Sequence, residues 1–256
     1  MARLSQLLCL PLPSELDAAQ QKSRVVYCLS LLSQDSGAAS RPEISILESR
    51  SLLSAAGTTG LRTWEASLHL GQYLCANPSL VRGKQVLELG AGTGYLSVLC
   101  AKFLDASYVV ASDGSDDVIN NLPDSFYLNN LQGSDKIVPM DLKWGHALVG
   151  TEEQAWNAGR QVDLVLGADV TYDQSIIPAL VGTMHELVDL FPDVAIVIAA
   201  TERNKDTFRA FQDACAKSGF LVSHILFPVL PREQQTGPFY NDQTPIHICQ
   251  LTKAES

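Results

Sequence analysis

The chain has 256 residues, 46% of them hydrophobic, and a formal net charge of −10. That length suits one α/β domain with a full core, and no apolar run approaches the ~20 residues that span a bilayer. Nucleic-acid binders carry a basic face to neutralise phosphates, and no basic cluster is present here. An acidic balance suits a basic protein substrate, or serves solubility alone.

Met1 to Pro13 lacks the sustained apolar core and small-residue cleavage site of a secretory signal. Val25 to Leu32 is apolar and reads as helix. Ser33 to Pro42, rich in Ser, Gly and Ala, reads as a linker, and Ile44 to Leu47 as a strand. Residues 1–43 are therefore expected to form a helical and linker segment, with the main domain over 44–256. Gly57 to Ala66 follows, and Trp64 opens a helix that Asn77-Pro78 ends. A Trp there is either a core anchor or one wall of a cleft.

The most informative stretch is Val86-Leu87-Glu88-Leu89-Gly90-Ala91-Gly92-Thr93-Gly94-Tyr95-Leu96. Gln85 to Leu89 is a short apolar run with one acid, as in a parallel strand covered on both faces. The Gly-x-Gly-x-Gly loop behind it lets a ligand approach the main chain. A helix from Tyr95 to Leu104 then aims its N-terminus at the loop. The dinucleotide fingerprint needs a glycine where Tyr95 stands.

Tyr108 to Ala111 is the next strand and ends at Ser112-Asp113. Asp113 lies 19 positions past Gly94, near the ~20-residue spacing at which an acid reaches a ribose hydroxyl pair. The alternative is a helix cap, although Ser115 is placed for that. A helix is expected over Asp116 to Asn130, kinked or broken at Pro123. Ile137 to Met140 is a strand closed by Asp141-Leu142-Lys143-Trp144-Gly145, where Asp141 and Trp144 could bracket an adenine by hydrogen bonding and stacking.

Val162 to Gly167 delivers Ala168-Asp169-Val170-Thr171-Tyr172 to a strand end, the edge where open α/β sheets bind ligands. Ile176 to Phe191 is helix, Val194 to Ala200 strand, Lys205 to Ser218 helix and Leu221 to Phe227 strand. A polar loop from Pro228 to Pro245 precedes a last strand, Ile246 to Leu251. The alternation predicts a doubly wound sheet, with the last two strands antiparallel because no helix separates them. Six scattered cysteines read as buried free thiols of a reducing, cytoplasmic compartment. The five scattered histidines propose no metal site.

Four motifs together resemble methyltransferase family 16, class I enzymes that methylate protein lysines. They are Thr63-Trp64, Glu88-x-Gly90-x-Gly92-x-Gly94, Asp141-Leu142-x-Trp144-Gly145 and Asp169-x-x-Tyr172. The stretch Thr58 to Ala66 most resembles the branch acting on a lysine of translation elongation factor 2. The resemblance implies a Rossmann-like, seven-stranded sheet with the last strand antiparallel, and S-adenosylmethionine as cofactor. It places cofactor contacts at Trp64, Gly90, Ala91, Gly92, Asp113, Trp144 and Ala168, with Glu88 and Asp141 from the same motifs. Asp169 and Tyr172 become the catalytic pair: Asp169 captures and orients the lysine ammonium, and Tyr172 supplies a wall and a hydroxyl. The same two residues could instead form a capped turn. The expected partner is a protein bearing a target lysine, acted on by a monomer, with no nucleic acid or membrane. Two rivals stay open: a methyltransferase for nucleic acid or small molecules, and a non-catalytic adaptor.

Overall fold

Seven strands form one sheet in a computed structural model that describes residues 22–32, 42–49, 59–148 and 156–254. In chain order the elements are β1 (Lys22–Cys28), β2 (Glu43–Ser49), α1 (Glu65–Ala76), β3 (Gln85–Leu89), α2 (Tyr95–Lys102), β4 (Tyr108–Asp113) and α3 (Asp116–Leu128). They continue with β5 (Ile137–Asp141), β6 (Leu164–Ala168), α4 (Ile177–Leu190), β7 (Ala195–Thr201), α5 (Lys205–Lys217), β8 (Phe220–Ile225) and β9 (Ile246–Lys253).

The sheet order is β5-β4-β3-β6-β7-β9-β8. Strands β5 to β7 are parallel, and β9 runs antiparallel to both β7 and β8. Residues alternate between two apolar layers, as a strand's period of two requires. Val86, Val109, Leu164, Leu166 and Val197 pack with α1, α2 and α3 on one face. Leu87, Leu89, Val110, Val165 and Ile196 pack with α4 and α5 on the other. The chain winds outward in opposite directions from β3 and β6, which are neighbours. Their C-terminal ends form the switch-point crevice of an open α/β sheet.

Two elements differ from expectation. Val25 to Leu32 is not helix: Lys22–Cys28 is a strand, followed by a single 3-10 turn at Ser30–Leu32. Val25, Val26 and Tyr27 favour an extended backbone, and the strand's inward and outward positions alternate. It pairs antiparallel with β2, from Lys22↔Ser49 to Cys28↔Glu43. Asn129 fastens this hairpin to the end of α3, donating to the Ser45 carbonyl at 2.7 Å and accepting from Ser45 N–H at 3.1 Å. Secondly, α3 runs unbroken through Pro123 to Leu128, with Val118, Leu122 and Phe126 buried along one side. The linker expected over Ser33 to Pro42 lies outside the described residues, apart from Pro42.

The loop between β8 and β9 is tied to α1. His69 is fully buried: Nε2 donates to the Phe227 carbonyl at 3.0 Å and Nδ1 lies 2.9 Å from the Tyr240 hydroxyl. Burial lowers the His69 pKa to about 4, so the ring stays neutral and Tyr240 donates to it. Gln72 Nε2 and the Ser30 hydroxyl both donate to the Gly237 carbonyl. Of the described cysteines, Cys75, Cys100, Cys215 and Cys249 are buried free thiols and Cys28 is exposed. No described helix is long and apolar enough to cross a membrane.

Candidate active site

A cavity of about 590 Å³ opens at the β3/β6 crevice. The glycine loop makes its floor. Gly90 has φ +65° and Gly92 has φ +54°, left-handed values that cost most side chains ~1–2 kcal/mol. A Cβ at Gly90 would stand 2.7 Å from Val170 Cγ1 and 3.3 Å from the Trp144 ring. One at Gly92 would stand 3.0 Å from the Gly60 carbonyl oxygen. Glycine is thus required for both conformation and space, and the loop's bare backbone faces the cavity.

Asp113 ends β4 at one side. Its Oδ2 accepts from Gly92 N–H at 3.1 Å and its Oδ1 from Ser115 N–H at 3.0 Å. Ser115 occupies the N-cap position of α3 but its side chain makes no capping bond, so Asp113 does part of that work. The Gly114 N–H also acts on this carboxylate, which leaves it part of its acceptor capacity, and it lines the cavity. Burial raises its pKa despite the N–H donors around it. Trp144 lines the same side, and its buried Nε1 has no partner among the described residues.

Trp64 stands at the N-cap of α1 and lines the cavity, so of the two readings offered for it the cleft wall is the one observed. Its Nε1 donates to the Thr59 carbonyl at 3.1 Å. Guanidinium carbons of Arg62 and Arg203 lie 4.8 and 4.9 Å from its ring centroid. Thr63 and Thr93 hydroxyls share a hydrogen bond of 2.7 Å, which joins the segment before α1 to the glycine loop. Glu48 Oε1, on the N-terminal hairpin, accepts from Thr63 N–H at 3.4 Å and from the Tyr27 hydroxyl at 2.7 Å.

Asp169 begins the turn after β6 with φ +54°. Its carboxylate is not open. Oδ1 accepts from Thr201 N–H at 2.9 Å. Oδ2 accepts from the Thr201 hydroxyl at 3.0 Å, from Ala66 N–H at 3.4 Å and from Arg203 Nη2 at 3.2 Å. Arg203 Nη2 also reaches Glu65 Oε2 at 2.7 Å. Tyr172, three positions on, is 59% exposed at the rim.

Nine of the eleven expected site residues line one cavity: Trp64, Gly90, Ala91, Gly92, Asp113, Trp144, Ala168, Asp169 and Tyr172. Two do not. Glu88 is buried beneath the loop, where its Oε2 accepts from the Ser97 N–H and hydroxyl in the first turn of α2. Burial pushes its carboxyl up to about 8. Asp141 is half exposed and lies 3.6 Å from Lys143 Nζ. Sequence reasoning missed Arg62, Thr63, Thr93 and Arg203. Thr63 and Arg62 sit inside a stretch already singled out, whereas nothing local marks Arg203.

The cavity fits S-adenosylmethionine in size and chemistry. Its volume lies within the ~300–1,000 Å³ of small-molecule sites. It offers a glycine-loop backbone, a strand-end carboxylate with spare acceptor capacity, and two indole rings, one with an unpartnered donor.

The same conclusion comes from known proteins. Residues 40–215 match the profile of a family described as lysine methyltransferase. The chain is 59% identical over 253 residues to protein-lysine N-methyltransferase EFM3 of Chaetomium thermophilum, covering 99% of this chain and 74% of that protein. It is 36% identical to EFM3 of Saccharomyces cerevisiae over 69% of this chain and 54% of that one. It is also 29% identical to protein-lysine N-methyltransferase EEF2KMT of Homo sapiens, over 82% and 64%. A provisionally assigned S-adenosylmethionine-dependent methyltransferase of Streptococcus mutans shares the fold, with TM-score 0.52 and 14% identity over 82% of this chain and 52% of that one. The chain belongs to the lysine methyltransferase family, the class I enzymes that methylate protein lysines with S-adenosylmethionine.

Proposed function

We propose that this chain methylates a lysine of translation elongation factor 2, as a monomer in the cytoplasm, with residues 44–256 as its catalytic domain. One observation carries the reading of the site. The glycine loop and Asp113 share a single open cavity with Asp169 and Tyr172, so a donor and an acceptor can meet inside it. The choice of elongation factor 2 rests on the likeness of Thr58 to Ala66 to that branch and on the name of the human relative. The absence of a basic cluster favours a protein over a nucleic acid.

Asp113 would accept from the ribose hydroxyls, while Trp64 and Trp144 would wall the adenosyl group and Gly90, Ala91, Gly92 and Ala168 give it room. Glu88 acts from behind, by fixing the first turn of α2 through Ser97. Asp141, outside the lining, keeps Lys143 in place. When bound, S-adenosylmethionine would supply a sulfonium methyl group as the electrophile; a neutral lysine amine would take the methyl carbon in line, with the sulfur leaving as a thioether. Alignment of the two reactants is the main contribution the chain makes. Tyr172 offers its ring as a wall and its hydroxyl as a positioning group. Asp169 would orient the amine, its carboxylate plane fixed by the Thr201 N–H and hydroxyl.

The test is labelled methyl transfer into whole-cell lysate, with the labelled band identified by mass spectrometry. Label should appear on elongation factor 2 and vanish when its target lysine is changed to Arg. Label on RNA, or equal labelling of that control, would overturn the substrate.

A further inference from the structure

Arg203 follows β7, and it lines both the main cavity and an adjoining one of about 70 Å³, together with Tyr172. One nitrogen, Nη2, bridges two carboxylates, at 2.7 Å from Glu65 and 3.2 Å from Asp169. Asp169 is 6% exposed at its side chain and Arg203 is 40% exposed. Asp169 is the fixed partner, because Thr201 N–H and hydroxyl, and Ala66 N–H, hold it independently of Arg203.

Methyl transfer sets a condition on this end of the cavity. A lysine has an ordinary pKa of ~10.4, yet only its neutral amine attacks. A lone buried carboxylate beside the amine would stabilise the ammonium and raise that pKa. A cation beside it does the opposite. Resting on the reading that the acceptor amine reaches Asp169, we propose that Arg203 is a positioning residue that keeps the acceptor lysine neutral. It cancels the field of Asp169, so that the carboxylate can accept a hydrogen bond from the amine without favouring its protonated form. The step affected is loss of one proton from the lysine ammonium to water before attack, and Arg203 keeps its own proton throughout.

The surrounding charges agree. Arg62 lies 3.6 Å from Glu65, so two guanidiniums face the two carboxylates Glu65 and Asp169 and the cluster carries no net charge. Tyr172 and Asp173 are the other titratable groups on the turn; Asp173 is exposed and accepts from Ser175 N–H at 2.8 Å. Glu202, next to Arg203, is paired with His247 of β9 at 2.9 Å. Asp113 and Lys143 line the cavity from the β4 and β5 side. Burial works against the charge of Arg203, but Asp169 and Glu65 hold its proton more firmly than usual. It therefore stays cationic at any assay pH.

The experiment takes whichever protein the wild type labels in lysate, purified, and follows kcat against pH. Arg203→Met should move the rising limb to higher pH by roughly one unit or more. Its deficit should be largest near neutrality and shrink as the pH rises. Arg203→Lys should keep the wild-type limb. Glu65→Gln, which leaves both guanidiniums and removes a carboxylate, should move the limb to lower pH and guards against misfolding of the Met variant. S-adenosylmethionine affinity by calorimetry should stay within a few-fold in all three. A deficit of equal proportion at every pH, or a Lys variant no better than Met, would overturn the proposal. A labelled protein other than elongation factor 2 would revise the substrate and leave this test intact.

Discussion

Two strand ends face each other across the cavity, and each carries an aspartate. Asp113, the last residue of β4, takes backbone N–H groups of Gly92, Ser115 and Gly114 and lines the cavity. Asp169, after β6, takes four donors from three other parts of the chain and sits at φ +54°. The first is a carboxylate that lines the open cavity. The second is already a structural joint, tying α1, β7 and Arg203 together. Two acids at equivalent places in one fold therefore differ in what their removal should cost.

The largest expected effect falls on the loop between them. Gly90→Arg should abolish S-adenosylmethionine binding, since even a Cβ would stand 2.7 Å from Val170. Added strain at a left-handed φ is of order 1–3 kcal/mol, which the buried sheet can absorb. Calorimetry and a thermal melt separate these outcomes. Micromolar binding retained in that variant would remove the loop from the site and erase the contrast between the two ends.

Next in size is Asp169→Ala. It leaves Arg203 with Glu65 alone, strands the Thr201 and Ala66 donors, and puts Ala at a left-handed φ. A buried ion pair broken on one side costs ~3–5 kcal/mol. Exposure of Arg203 lowers that toward ~2–3 kcal/mol. Chemical denaturation reads the loss directly, and an unchanged midpoint would show that the joint holds nothing.

A smaller effect comes from Glu88, beneath the loop. Its carboxyl is pushed up to about 8 by burial, against ~4.3 in an unfolded chain. The folded protein therefore binds the extra proton between those values. Stability should fall as the pH rises from about 4.5 to about 8 and level off above. Glu88→Gln should flatten that slope while keeping the Ser97 contact. A variant as pH-dependent as the wild type in denaturation would assign the slope elsewhere.

Much of this arrangement is legible in the sequence, because it is local. Gln85–Leu89 is strand as read, and the glycine loop, Asp113 and Trp144 all reach one cavity from positions set by strand ends. Val25 to Leu32 misled because its apolar residues allow either period, and pairing with β2 decides for the strand. Pro123 misled because the buried face of Val118, Leu122 and Phe126 outweighs one missing N–H. The condition of Asp169 had no local sign at all. Its partners lie 32, 34 and 103 residues away, and only the fold brings Thr201, Arg203 and Ala66 to it. Glu88 shows the converse: its motif position marks a buried contact behind the loop, with Ser97, and not contact with the cavity.

The most direct measurement puts Asp113→Ala and Asp169→Ala on the same two axes, S-adenosylmethionine affinity by calorimetry and unfolding free energy by denaturant. Asp113→Ala should lose ~1–3 kcal/mol of affinity and less stability than Asp169→Ala, the ~0.5–2 kcal/mol of a lost cap. Asp169→Ala should lose stability and hold affinity within a few-fold. Equal losses on both axes for the two variants, or the reverse assignment, would contradict the account.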